Sequence, residues 1–171
     1  MRAKHIAALG VTAALVAGGI AAQGGSAQAP GSTTLTFFLP DASATFRLVD
    51  NAPKSPTKNP RSPKYRFSLG DQVIFTVPLL DKKGGTRQGK LHAVGTIVGG
   101  RTFRDASAQA TGTYVLNDKS QIAAVGQFSF SSDVTRLAIV GGTGRYEGAR
   151  GSLSSVSDDD DNSTDTINLL P

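Results

Sequence analysis

The 171-residue chain has no cysteine, no tryptophan and one methionine, which is its first residue. Without thiols there is no disulfide, no thiolate metal site and no cysteine nucleophile, so the fold stands on packing alone. Histidine is nearly as scarce. His5 lies in the first few residues and only His92 remains beyond them. A centre built from several imidazoles is therefore excluded, and a Ser-His-Asp triad would have to form around His92. That residue stands in an alternating, strand-like run, where an isolated histidine is ordinarily a surface group. Aromatics make up only 6% of the chain, too few for the stacking platform that single-stranded nucleic acid needs. Nucleic acid is not expected as a partner, and no metal or cofactor is expected either.

What is present begins with a leader. Arg2 and Lys4 precede an apolar run over 6–22, and small residues follow, ending Ala27-Gln28-Ala29; this is the pattern of a signal peptide over 1–29. Cleavage after Ala27 and after Ala29 both fit it. The apolar run is short for a membrane span, which takes about 20 apolar residues, so a soluble, secreted chain without a span is expected. The 18 basic residues outnumber the 13 acidic ones, and the excess is local. Lys54, Lys58, Arg61, Lys64 and Arg66 crowd one proline-rich segment, whereas Asp158 to Asp161 form an acidic pole.

Beyond residue 33 the apolar pattern has period two, the mark of half-buried strands. Strands are expected over 33–39, 45–49, 72–80, 90–98, 109–116, 121–131, 135–140, 150–156 and 166–170, with turn chemistry between them and no helical stripe. A meander of that many strands in about 140 residues manages its edges by closing. The expected fold is a single all-β domain, an eight-stranded antiparallel calycin-like barrel over 30–171. Such barrels have interiors just large enough for packed side chains or one small ligand. The segment 51–66, with its prolines and cations, is expected to be a mobile, solvated loop. The tract 157–165 offers oxygens to calcium, but consecutive carboxylates do not converge on one ion, and a solvated acidic hairpin is the expectation.

The stretch Leu-Ala-Ile-Val-Gly-Gly-Thr-Gly over 137–144 looks like a strand entering a phosphate-binding loop. The dinucleotide fingerprint fails on spacing, because the last glycine arrives one place late at Gly148, and no βαβ unit surrounds it. A hairpin turn is the better reading. Gly141, Gly142 and Gly144 then permit positive φ, while Gly148 and Gly151 allow a bulge or close strand approach. On a regular strand Tyr146 and Arg150 would share a face, and Glu147 would point to the opposite one.

The segment "AIVGGTGRYEGARGS" resembles the signature turn of the allene oxide cyclase and dirigent protein superfamily. "LTFFLPD", "VDNAP", "GDQVIFTVPLLDKKGG" and "GTYVLNDKSQIAAVGQFSF" resemble other parts of that family in the same order. The resemblance implies an eight-stranded barrel, often trimeric, with a ligand cavity. It also implies that Asp41 matches an acid near the first strand and Arg150 the arginine of the Ala-Arg-Gly motif. The chain departs from the family in carrying Arg145 where lignan-type dirigent proteins have an acid. It also lacks their disulfide and the cysteine of allene oxide cyclases.

Three readings of function follow. In the first, a secreted barrel orients a small apolar or aromatic molecule for coupling or cyclisation through shape and a few polar anchors. Asp41 and Arg150 are its candidate catalytic residues, and Tyr114, Phe128 and Tyr146 its candidate ligand-binding residues. In the second, the chain is an isomerase or cyclase with Asp41 or Glu147 as acid or base. In the third it is a non-catalytic, surface-associating protein whose basic loop meets anionic polymers.

Overall fold

The computed structural model describes residues 32–59, 62–158 and 162–171. The expected leader, Arg61 and Asp159 to Asp161 lie outside the described residues. The described chain runs through β1 (Thr33–Leu39), a 3-10 turn η1 (Asp41–Ser43), β2 (Thr45–Val49), β3 (Gln72–Leu80) and β4 (Arg87–Gly99). It continues through β5 (Ser107–Leu116), β6 (Gln121–Ser129), β7 (Val134–Thr143), a second 3-10 turn η2 (Gly144–Tyr146), β8 (Gly151–Ser157) and β9 (Ser163–Leu169).

All pairings are antiparallel, in the order β1-β9-β8-β7-β6-β5-β4-β3-β2. The sheet closes because β1 also meets β3, with Phe38 opposite Leu80. Eight strands thus form the barrel, and β2 is an extra strand along the remaining edge of β3, from Thr45 opposite Thr76 to Val49 opposite Gln72. Alternation decides which side chains enter the barrel. On β5, Ala108, Ala110, Tyr114 and Leu116 are buried, with Gly112 between them. On β4, Leu91, Ala93 and Ile97 are buried while His92 is exposed and its Nδ1 lies 3.1 Å from Thr76 Oγ1. The lone histidine is a surface residue.

The core has two parts. The larger contains Phe37, Leu79, Tyr114, Ile122, Ile139, Leu153 and Ile167. The smaller is an aromatic cluster in which Phe67 packs on Tyr65, Phe103 and Phe130 at centroid distances of 5.0 to 5.5 Å, and Phe128 on Phe130 at 5.0 Å. The carboxy-terminal end of the basic loop is therefore not solvated: Tyr65 and Phe67 are buried in this cluster. Asp71 fastens the loop from below, accepting Asn51 N–H on Oδ1 at 2.7 Å and Ser68 N–H on Oδ2 at 2.9 Å.

The glycine cluster does the work of a connection. β7 runs on to Thr143, and the chain then turns through η2, with Gly144 at φ +63°. A single 3-10 turn of three residues leads to β8 and to no α-helix, so there is no helix N-terminus to hold a phosphate. Gly151 sits at φ +154°, where a Cβ would stand 1.9 Å from Asn168 O on β9. Any side chain there would force the β8–β9 pair apart.

Candidate functional site

The turn after β7 shapes a concavity of about 760 Å³ at one end of the barrel, lined by Arg145, Tyr146, Glu147, Arg150, Leu169 and neighbouring backbone. Tyr146 is buried and packs into the main core, whereas Arg145, Glu147 and Arg150 are exposed. The Arg145 guanidinium lies 5.0 Å from the centroid of the Tyr146 ring and 3.2 Å from Asp118 Oδ2, a cation–π contact and a surface ion pair that hold it against the wall. Tyr146 and Arg150 both line the concavity, but not as neighbours on one strand face. A 3-10 turn, not a strand, carries Tyr146. Glu147 lines the same concavity, exposed where Tyr146 is buried.

Asp41 lies elsewhere. It begins η1 beyond the end of β1, and its backbone N–H donates to Asn162 Oδ1 at 3.3 Å. Asn162 precedes β9 in the β8–β9 connection, whereas Arg150 immediately precedes β8. The seven residues of β8 separate these ends by roughly 20 Å at about 3.3 Å per residue. Asp41 and Arg150 do not meet. Phe128 belongs to the aromatic cluster, its ring over Gly95, where a Cβ would be 3.0 Å from Phe128 Cε1.

Tyr114 is deep inside, 1% exposed, stacked on Phe37 at 6.1 Å. Its hydroxyl donates to Asp165 Oδ2 at 2.5 Å. Asp165, 2% exposed, is the group that sequence reasoning missed by assigning it to the acidic tract. Burial pushes its carboxyl up from the ordinary carboxylate range, against the opposing pull of Ser155 and Tyr114. Burial likewise raises the Tyr114 hydroxyl well above its ordinary value, with the Asp165 carboxylate adding to the effect. Asp165 Oδ1 has no hydrogen bond of ordinary geometry, although Ser155, directly opposite on β8, lies close enough to influence the carboxyl. The signal was present in Ser-Thr-Asp-Thr-Ile-Asn-Leu over 163–169, where Asp165 alternates in phase with buried Ile167 and Leu169.

Comparison with known proteins follows the same outline. The model of the dirigent-like protein family matches residues 32–169. The chain belongs to the dirigent-like family. Among solved structures, a pyocyanin demethylase superimposes with a TM-score of 0.61 at 18% identity, covering 81% of this chain and all of its own. The pterocarpan synthase dirigent protein GePTS1 gives 0.57 at 19% identity, covering 81% of this chain and 82% of that one. The Diels Alderase AbmU from Streptomyces koyangensis gives 0.56 at 15% identity, covering 84% and 72%. At these identities the likeness is one of fold. No curated protein matches the sequence. Among the described residues no helix is long and apolar enough to cross a membrane.

Proposed function

We propose that this dirigent-like barrel is exported and binds a small apolar or aromatic molecule, orienting it for stereoselective coupling or cyclisation. The observation that carries this reading is the concavity gathering Tyr146, Glu147 and Arg150 beside Leu169. Its volume is of the order of small-molecule sites, about 300 to 1,000 Å³. A mixed wall, with Tyr146 and Leu169 as its apolar part and Arg145, Glu147 and Arg150 as its polar part, suits a ring bearing a polar substituent, and holding reactants in register lowers the entropic barrier without any nucleophile. The demethylase, pterocarpan synthase and Diels Alderase that share the fold carry names of small-molecule chemistry, which supports this reading over a purely structural one. The family resemblance supports a homo-oligomer, a trimer, as the working state.

The test is product stereochemistry. The protein is incubated with a monomeric phenol and a one-electron oxidant, or with a conjugated polyene, and products are resolved by chiral chromatography. An enantiomeric excess that collapses in Arg150→Leu is expected. Asp41→Asn reports on the opposite end of the barrel. Loss of selectivity in Asp41→Asn with none in Arg150→Leu would move the reacting site away from the concavity, and racemic products throughout would remove the orienting role.

A further inference from the structure

Most side chains buried in this barrel are apolar, yet one sector of the interior is polar. Thr135 on β7 stands opposite Ser155 on β8, Ser155 opposite Asp165 on β9, and Asp165 opposite Phe37 on β1. Directly paired residues project from the same face of a sheet, so the four form one row across the wall. Ser157 follows Ser155 by two positions and joins that face. Thr135, Ser157 and Asp165 are all buried. Thr135 Oγ1, Ser157 Oγ and Asp165 Oδ1 are left without a hydrogen-bond partner within the protein. Native proteins pair nearly all such atoms, and three clustered exceptions on adjoining strands call for a common cause.

We infer that this wall is a hydrogen-bonding subsite for the oxygen-bearing end of an uncharged ligand, a carbonyl or hydroxyl on an otherwise apolar molecule, with Asp165 positioned by Tyr114 as its central group. The inference rests on the reading that the barrel takes a small molecule, though not on the concavity beside Arg150. The chemistry of the wall defines the ligand. Asp71 and Asp165 are the only buried charged residues among the described ones, so no buried cation is present to receive a carboxylate or phosphate, and an anionic ligand would meet Asp165 uncompensated. Burial favours the neutral carboxyl, which donates from one oxygen and so suits an oxygen acceptor better than an ammonium group. Thr135 and Ser157 hydroxyls donate or accept and accommodate either a carbonyl or a hydroxyl. Tyr114 donates to Asp165 Oδ2 and Ser155, directly opposite on β8, acts on the same carboxyl, so the acid is held in place with Oδ1 on the polar row.

The experiment uses the full chain and three probes of nearly one shape: 2-naphthol, 2-methylnaphthalene and 2-naphthoate. Affinities are measured by calorimetry, and the infrared carboxyl stretch of Asp165 is assigned by difference from Asp165→Asn. The expected result is a preference of about tenfold for 2-naphthol over 2-methylnaphthalene, the contribution of one buried hydrogen bond, with 2-naphthoate the weakest. 2-Naphthol shifts the carboxyl band and 2-methylnaphthalene does not. In the Thr135→Val/Ser157→Ala double variant, which forfeits no hydrogen bond of the free protein, the preference falls below about threefold. Arg150→Leu leaves it intact. Equal affinities for the two neutral probes, a preference indifferent to the double variant, or a crystal structure at saturating probe showing only ordered water on Asp165 Oδ1 would each overturn the subsite while the barrel remains an apolar binder. Failure of all three probes to bind would remove the ligand-binding reading itself.

Discussion

Among the described residues two aspartates are buried, and they are treated in opposite ways. Asp71, fully buried, receives one backbone N–H on each carboxylate oxygen, from Asn51 and Ser68, and its own backbone pairs with Ile97 through Ile97 N–H to Asp71 O at 2.8 Å. Asp165, equally buried, has one oxygen on the Tyr114 hydroxyl and the other without a well-formed partner. The first is a staple: two amides that would otherwise be orphaned at the ends of a long loop are satisfied by a single side chain. The second is a group whose desolvation is only partly offset. A carboxylate saturated by backbone amides holds a fold together, whereas one that meets only side-chain hydroxyls, Tyr114 and Ser155, is available to something else.

Putting the same substitution at both sites gives the largest contrast. In Asp71→Asn the amide NH₂ must face one of the two backbone donors, so a buried N–H loses its acceptor. A loss of about 2 to 3 kcal/mol is expected in urea unfolding, together with faster amide exchange at Asn51 or Ser68. In Asp165→Asn the amide oxygen still accepts from Tyr114 and the NH₂ occupies the unpartnered side, so nothing is broken. Near pH 4, where burial keeps the carboxyl neutral, replacing it by a neutral amide is then close to neutral, within about 1 kcal/mol. Equal destabilisation at the two sites would erase the distinction between staple and available group.

A second contrast is in pH. Burial raises the folded-state pKa of Asp165 above its unfolded value of about 3.9. Its contribution to stability is therefore fully present below that unfolded value and is lost as pH rises toward the folded pKa, because only the unfolded chain releases its proton in that window. The stability of Asp165→Asn relative to the parent should thus climb from about pH 4 upward, by at most about 1.4 kcal/mol per pH unit, and level off once the folded carboxyl has titrated. Other carboxylates are common to both proteins and cancel in the difference. A flat difference curve would mean that the Asp165 carboxyl is ionised across the range and would break its role as proton donor.

Much of this was legible in the sequence, and the misses have physical causes. β1, β2 and β3 fall on 33–39, 45–49 and 72–80 as expected from alternation. The end of β7 was missed because Gly141, Gly142 and Thr143 look like a turn; Gly142 is paired with Ile122, and a Cβ there would stand 2.3 Å from Tyr146 O. Glycine was needed for close approach before it was needed for bending. Arg87 to Gly89 were missed on β4 for a related reason, since a Cβ on Gly89 would meet Val115 O at 2.2 Å. Of the motif residues singled out in the sequence, Tyr146 and Arg150 line the concavity after β7. Asp165 was hidden by its neighbours, because runs of charge suggest solvent even when period two places one member inside. Tyr65 and Phe67 were masked likewise by the cations beside them.

Tyr65 sharpens the comparison from its other side and carries the smallest expected effect. Its hydroxyl is also buried without a hydrogen-bond partner, but it lies off the β7–β9 wall, its ring against Phe67 and the carboxylates of Asp50 and Asp71 near enough to act on it. Burial, then the charges of Asp50 and Asp71, push its pKa up to about 12. Tyr65→Phe deletes an unsatisfied oxygen and keeps the ring contacts with Phe67, so stability near neutral pH should hold or rise by up to about 1 kcal/mol. Because the folded pKa lies above the unfolded value of about 10, the tyrosine's share of stability is present below pH 10 and is lost as pH rises toward 12, so the phenylalanine variant should show a shallower alkaline decline. Urea midpoints at pH 7 and across that alkaline window measure both. If Tyr65→Phe costs as much as a lost hydrogen bond, the unpartnered oxygens of this protein are held by interior water, and those on the β7–β9 wall would then need no ligand to account for them.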